Sequence, residues 1–484
     1  MPGDWTNAIE RARDNAPFLA RSLDRLPDLA ELLAAGDAEA AFDYCARAGD
    51  GAEVGVALRR ERLALALTLA IGDLAGAFTL DEVMTRLSGF ADEALGRAIR
   101  EAAKVRTGLD SPDGFFALAL GKHGACELNY SSDIDPILLF DPDVLASGER
   151  STPPETAQRM ARDIVRLLSD HTEEGYVFRV DLRLRPAAEI TPLAVSVNAA
   201  ATHYESAALA WERAAFIRAR SAAGDVVRGE NFLASIRPFV WRRSVDFGAI
   251  DDIAQLRLRI REAYGGEPVL GPGFDLKRGR GGIREIEFFA QTHQLIHGGR
   301  DPRLRSSDTR AALLALARAG IVEEQTARAL ATAYARLRVA EHRIQMLEDR
   351  QTHMVPEGEA LERLAHLDGF ADGAALLADL DPHLTVTAQA FDTLLETSET
   401  GTANDRPARE LVAASPLAGQ ADMGERVAGW LDGRYRALRG TDAQNAFRRL
   451  LPALLEALAQ SPEPDRAVVR LERLLEALPS GINL

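Results

Sequence analysis

Three aspartates are the residues of this sequence whose type and spacing point to chemistry. Asp133 and Asp135 stand in Ser132-Asp133-Ile134-Asp135, within FFALALGKHGACELNYSSDIDPILLF, residues 115–140. The stretch reads as a strand, a glycine-punctuated turn from Gly121 to Gly124, a short helix or loop, and a second strand. Side chains alternate along a strand, so the two carboxylates share one side and Ile134 takes the other. Adjacent carboxylates repel unless positive charge lies between them. An all-oxygen pair suits Mg²⁺, which keeps waters and phosphate oxygens as its remaining ligands. Taken alone, Asp-x-Asp fits solvated carboxylates at a strand end equally well.

The third acid is Asp181, in YVFRVDLRLRP, residues 176–186. Phe178, Val180, Leu182 and Leu184 alternate with Arg179, Asp181, Arg183 and Arg185, so the pattern predicts a strand with one apolar face and one charged face. A single acid among three arginines suits a metal held beside a phosphate. An edge strand with a solvated face has the same pattern.

Other anion-binding candidates are weaker. Glycines at 121 and 124 let backbone N–H groups approach a phosphate closely. Lys122 reads either as an anion contact or as an exposed lysine, and the Ser or Thr of a P-loop is missing. DLKRGRGGIREIEF, residues 275–288, is a basic glycine-rich loop that opens directly into an amphipathic helix. It fits a phosphate site or a basic turn with helix capping, and Arg280 and Arg284 are its candidate contacts. His293 and His297 lie one turn apart without the Glu of a zinc-protease motif, and packing is the preferred reading.

These residues need elements to position them. Residues 1–104 are rich in Ala, Leu and Arg with helical periodicity and read as a bundle, with Asp73 and Asp81 as helix caps. Residues 105–240 hold the candidate catalytic domain. Within it, 154–174 reads as a helix, and so does 197–221, with Trp211 as a core anchor and Glu212-Arg213 as a structural or solvated pair. Residues 241–399 read as a further helical bundle, where Glu341, Gln345 and Asp349 form a solvated stripe. A polar linker at 401–408 leads into the start of another helical region, 400–484 in all.

Composition narrows the function. The chain has 484 residues, too many for one core, and a formal charge of −16. That charge opposes general affinity for nucleic acid or anionic membrane. Two cysteines, Cys45 and Cys126, give no disulfide framework and fit a reducing cytoplasm. No secretory signal and no apolar run of about 18 residues is present.

Gly-Lys-x-Gly at 121–124, the Glu127–Asp135 run, Arg179–Pro186, Trp211-Glu212-Arg213, Gly279–Phe288 and Glu341–Met346 follow one another in an order that resembles the glutamine synthetase adenylyltransferase and adenylyl-removing family. The resemblance runs from about Gly121 to Pro356. It implies an α+β, predominantly helical chain: a DNA polymerase beta-like nucleotidyltransferase domain with a small mixed sheet, flanked by helical bundles. It also implies Mg²⁺ on Asp133, Asp135 and Asp181. Nucleotide or phosphate contacts are implied among Gly121, Lys122, Gly124, Ser132, Arg183, Arg185, Arg218, Arg220, Arg280 and Arg284.

In that family the first half removes AMP. Phosphate attacks the AMP–tyrosine phosphodiester of glutamine synthetase and gives ADP and tyrosine, and a PII-type signalling protein is the regulatory partner. No second Ser-Asp-x-Asp strand follows here, so an N-terminal portion or a shortened form is expected. The chain departs from the family pattern at His123, Ala125, Cys126 and Pro136, all near the acids. Two alternatives stand beside phosphorolysis. One is ATP-dependent adenylylation of glutamine synthetase, and the other is a non-catalytic scaffold that binds glutamine synthetase or a PII-type protein.

Overall fold

Two apolar strands sit at the centre because every residue of one and nearly every residue of the other is buried. β1 (Phe115–Leu120) and β2 (Asp135–Phe140) pair antiparallel, with Leu120 opposite Asp135. β4 (Arg220–Gly224) pairs antiparallel with β1, and β3 (Ala194–Ser196) pairs parallel with β2, giving a mixed sheet of order β3-β2-β1-β4. Alternation sends Phe115, Ala117, Leu138 and Phe140 into one core with the helices Leu80–Thr107 and Pro153–Ser169. Phe116, Leu118, Ile137 and Leu139 enter a second core with Tyr204, Phe216 and Phe232. A sheet covered on both faces explains why these strands read as continuous apolar runs.

The computed structural model describes residues 3–147, 151–242 and 269–399 and separate stretches of 412–477. It bears out the helix-rich α+β class with a small mixed sheet. The chain forms two compact units, Met1–Phe391 and Asp392–Leu484. Within the second, Trp430, Phe447, Leu451 and Val468 make a core for the helices Met423–Leu431, Thr441–Ala459 and Pro464–Ala477. The linker expected at 401–408 lies outside the described residues. Among the described residues no helix is long and apolar enough to cross a membrane.

The expected strand over 176–186 shrinks to one parallel bridge, Val180 with Ile134. Ile134 N–H donates to Arg179 O, and the Ile134 carbonyl accepts from Asp181 N–H. The next donor along that edge of β2 would be residue 136, which is Pro136 and has no N–H. The ladder stops there. The chain leaves the sheet after Asp181 and returns at Ala194, opposite Leu138. The single helix expected over 197–221 is two, Val197–Ser206 and Ala210–Phe216, followed by β4. Trp211 is 40% exposed, so it is no core anchor. Glu212, instead of being solvated, is buried and accepts from Leu209 N–H, with His203 Nε2 2.8 Å away.

The stripe expected to be solvated on the helix Glu324–Glu348 is a polar seam inside the first unit. Arg338, Glu341, His342, Arg343 and Gln345 are all buried. Arg338 donates to Glu127 O and to Asn129 Oδ1, each at 2.5 Å, and to the Tyr334 hydroxyl at 2.8 Å. Gln345 Oε1 accepts from Ser131 N–H at 2.8 Å. Arg343 donates to both oxygens of Asp73, which lies in the last turn of Val54–Leu74 and is not a helix cap. Thr79 caps the next helix, with Asp81 in its first turn. Buried charges demand partners, so the seam fixes the turn between β1 and β2 against the long helix.

His342 makes this seam sensitive to acid. Burial, helped by the Arg338 charge, pushes its imidazole down to about 3. An unfolded histidine protonates near pH ~6.5. Between those values the unfolded state binds the extra proton, so stability that is complete above the unfolded value is lost as pH falls. We expect unfolding free energies measured in urea between pH 7 and 5 to fall with acid. In His342→Gln that slope should be shallower, by up to about 1.4 kcal/mol per pH unit.

Candidate active site

β2 begins at Asp135, whose side chain continues the row of Ile137 and Leu139 where that row reaches the end of the sheet. Asp133 lies two residues earlier on the same side. Asp181 arrives on the neighbouring segment through its N–H bond to Ile134 O, 2.9 Å. Ile134 and Val180 point into the core, so Asp133, Asp135, Arg179 and Asp181 emerge on the opposite face. Burial first, then the charges of Asp181 and Asp133, push the Asp135 carboxyl up to about 7. Asp135 therefore lies in the field of both other acids.

The outer two acids are latched to cations. Asp133 Oδ1 accepts from Arg179 Nε at 2.8 Å, and Oδ2 accepts from Gln351 Nε2 at 2.6 Å. Arg179 also donates to the Ser131 carbonyl and, at 2.8 Å, to the Tyr176 hydroxyl. Asp181 accepts from the backbone N–H and guanidinium of Arg183, which hold its carboxyl below the usual range. As they stand, no three His, Cys, Asp or Glu side chains among the described residues are disposed to share one ion. The donors themselves are all hard carboxylate oxygens, and Asp135, raised first by burial, also lies in the field of two further carboxylates. Both properties fit a divalent cation.

Gly121 and Gly124 set how closely the turn approaches. Gly121 has φ +57, and a Cβ there would lie 2.5 Å from Asp135 Oδ2. At Gly124 a Cβ would meet Arg218 O at 2.1 Å and Ala119 O at 2.6 Å. Lys122 is buried and donates to both oxygens of Glu341 at 2.8 Å. Burial alone would raise the Glu341 carboxyl, but Lys122 holds it well below the usual range. Ser132 Oγ accepts from Asn129 N–H and shapes the turn before the acids.

The arginines named from sequence divide by what holds them. Arg183 is 86% exposed beside the acids. Arg185 donates to the carbonyls of Leu182, Ala188, Thr191 and Pro192, pinning the loop that leaves the sheet. Arg218 donates to Glu287 Oε1 at 3.0 Å and Thr309 Oγ at 2.6 Å. Arg220 donates to both oxygens of Asp92, which also meets His123 Nε2. Arg280 is paired with Glu285, and Arg284 is exposed on the first turn of Ile283–His297. The His293 and His297 rings stack 6.1 Å apart. Cys126 takes a φ of +58 in the same turn.

Three contributors carried little or no sequence signal. Gln351 follows the long helix and reaches Asp133 from 218 residues away. His353 Nδ1 stands 2.7 Å from Glu341 Oε1. Lys277, in the glycine-rich loop, bears on Asp135 through its charge. That loop is placed by Leu276 N–H donating to His353 O and Val355 N–H donating to Phe274 O.

The sequence model described as glutamate-ammonia ligase adenylyltransferase matches residues 9–235, which contain all three acids. Over those residues the chain is similar to that family. A model described as GlnD PII-uridylyltransferase matches residues 254–395. Similar proteins include the bifunctional glutamine synthetase adenylyltransferase/adenylyl-removing enzyme of Brucella melitensis, 37% identical over 99% of this chain and 52% of that protein. Those of Rhodopseudomonas palustris and Xanthobacter autotrophicus are 40% and 42% identical over 91% and 90% of this chain, and 47% and 46% of theirs. The chain thus spans about half the length of the relatives it matches.

Gly51, with φ +74 and nothing within 4 Å of an added Cβ, serves as a control for Gly121. Alanine at either position costs about 1–2 kcal/mol for the left-handed backbone. Urea unfolding should show Gly121→Ala to be the more destabilised, because its methyl also displaces Asp135. Equal losses would mean the turn does not press on the carboxylate.

Proposed function

We propose that this chain removes AMP from the adenylylated tyrosine of glutamine synthetase by phosphorolysis, yielding ADP and tyrosine. The observation that carries this reading is that Asp133, Asp135 and Asp181 emerge on one face of adjoining segments, with exposed Arg183 beside Asp181, in a chain similar to bifunctional adenylyl-transferring and adenylyl-removing enzymes. Asp133, Asp135 and Asp181 would hold Mg²⁺, which when bound supplies charge stabilisation for the reacting phosphoryl oxygens.

The protein's own groups do the positioning. Gln351 and Arg179 fix Asp133, and the Gly121 turn fixes the approach to Asp135. Arg183, on an exposed stem, exchanges Asp181 for a phosphate oxygen once Asp181 is otherwise engaged. An oxygen of phosphate forms a bond to the AMP phosphorus, and the bond from that phosphorus to the tyrosine oxygen breaks. Phosphate is already anionic near neutrality and needs orientation more than a base. The tyrosine oxygen leaves as an anion whose conjugate acid has a pKa of ~10, so no dedicated general acid is required. The match of residues 254–395 to a PII-uridylyltransferase model supports a PII-type protein as a regulatory partner.

Incubating the chain with adenylylated glutamine synthetase, phosphate and MgCl₂ should release ADP. Asp135→Asn should lower that rate by about 10²-fold or more while leaving far-UV circular dichroism unchanged. Pyrophosphate release from ATP and unmodified synthetase, without ADP in the first assay, would reverse the direction. Product from neither would overturn the reading.

A further inference from the structure

A phosphate entering this site meets three carboxylates before it meets any reaction partner, so its entry depends on a cation that faces them and is not already engaged. Most basic groups nearby are taken. Lys122 is held by Glu341, Arg179 by Asp133 and Ser131, Arg218 by Glu287, and Arg220 by Asp92. In the glycine-rich loop Arg280 is held by Glu285 and by Ala388 O, with Arg284 pointing outward on the helix surface.

Lys277 differs from all of them. Its backbone is fixed at both ends: its N–H donates to Asp275 Oδ1 at 2.9 Å, and its carbonyl accepts from Arg284 N–H at 3.0 Å. Leu276, beside it, is fully buried and bonded to the His353 carbonyl. The side chain is half-buried, and its charge bears on Asp135, on Glu287 and on Lys122. Its ammonium has no hydrogen-bond or ion-pair partner among the described residues. The loop that carries it is bonded to the His353 backbone, two residues after the Gln351 that holds Asp133, so this half-buried, uncommitted ammonium is placed to receive an anion.

We propose that Lys277 is the phosphate anchor of this site, holding the incoming phosphate and then the same group as the terminal phosphate of ADP. This rests on the phosphorolytic reading above. Lysine suits the task because its compact charge and three rotatable donors follow a phosphate from free anion to ester. Arg183, on the opposite side of the acids in sequence, is left to the phosphoryl group already joined to tyrosine.

The test is calorimetric titration of the full chain, in MgCl₂, with ADP and separately with AMP. Lys277→Ala should weaken ADP by about tenfold or more and AMP little, since AMP lacks the anchored group. Lys277→Arg should recover part of the loss, and the phosphate KM in the ADP-forming assay should rise in Lys277→Ala more than kcat falls. Unchanged ADP affinity in Lys277→Ala overturns the anchor and leaves phosphorolysis standing. Equal loss of ADP and AMP, even with native circular dichroism, also overturns it by assigning the lysine a structural role. If the unaltered chain binds neither nucleotide, the phosphorolytic reading falls and the anchor falls with it.

Discussion

The placement of the turn that carries the aspartates depends on the pairing of charge along the buried seam of the helix Glu324–Glu348. Arg338 lies fully inside the protein and is bound to Glu127, Asn129 and Tyr334 while its Nε stands 3.1 Å from Glu341 Oε2. An uncompensated guanidinium at that depth would cost several kcal/mol, so the partners are not optional. Two of them lie in the turn that runs from β1 to the aspartates. Satisfying the arginine and holding the acids in place are thus one structural requirement.

The site uses the same electrostatics at lower depth. Asp133 and Asp181 each lean on an arginine, whereas Asp135 sits in the field of both and is raised. The difference between the latches is exposure. Arg179 is tied to Tyr176 and Ser131 as well as Asp133, but Arg183 stands in water and, among the described residues, holds only Asp181. A pair whose arginine stands in water exchanges more readily than one whose arginine is held by other partners. Release is therefore easiest on the side where Asp181 and Arg183 meet.

Much of this was legible from local pattern. The alternation of 133–135 and of 178–182 placed carboxylates opposite to core residues, and both placements hold because a period of two depends only on the local backbone. The length of the second strand was not legible, although its cause, Pro136 at the edge, was visible as a missing donor. The buried seam escaped because Glu341 and Gln345 find their partners near residues 122 and 131, over 200 positions away, and a polar stripe on one helix looks alike whether it meets water or other polar groups. In the glycine-rich loop composition pointed to Arg280. Glu285, five residues on, claims that arginine and leaves Lys277 beside the acids. Trp211 shows the converse, an aromatic that periodicity would bury and the broken helix exposes.

The claim that the three aspartates form a cation site is open to direct observation with manganese in place of magnesium. Crystals of the chain soaked in MnCl₂ and measured at the manganese absorption edge should show anomalous density touching Asp135 and at least one of Asp133 and Asp181, with Arg183 turned away from Asp181. Clean maps with no density among these carboxylates, and Arg183 still bound to Asp181, would contradict it.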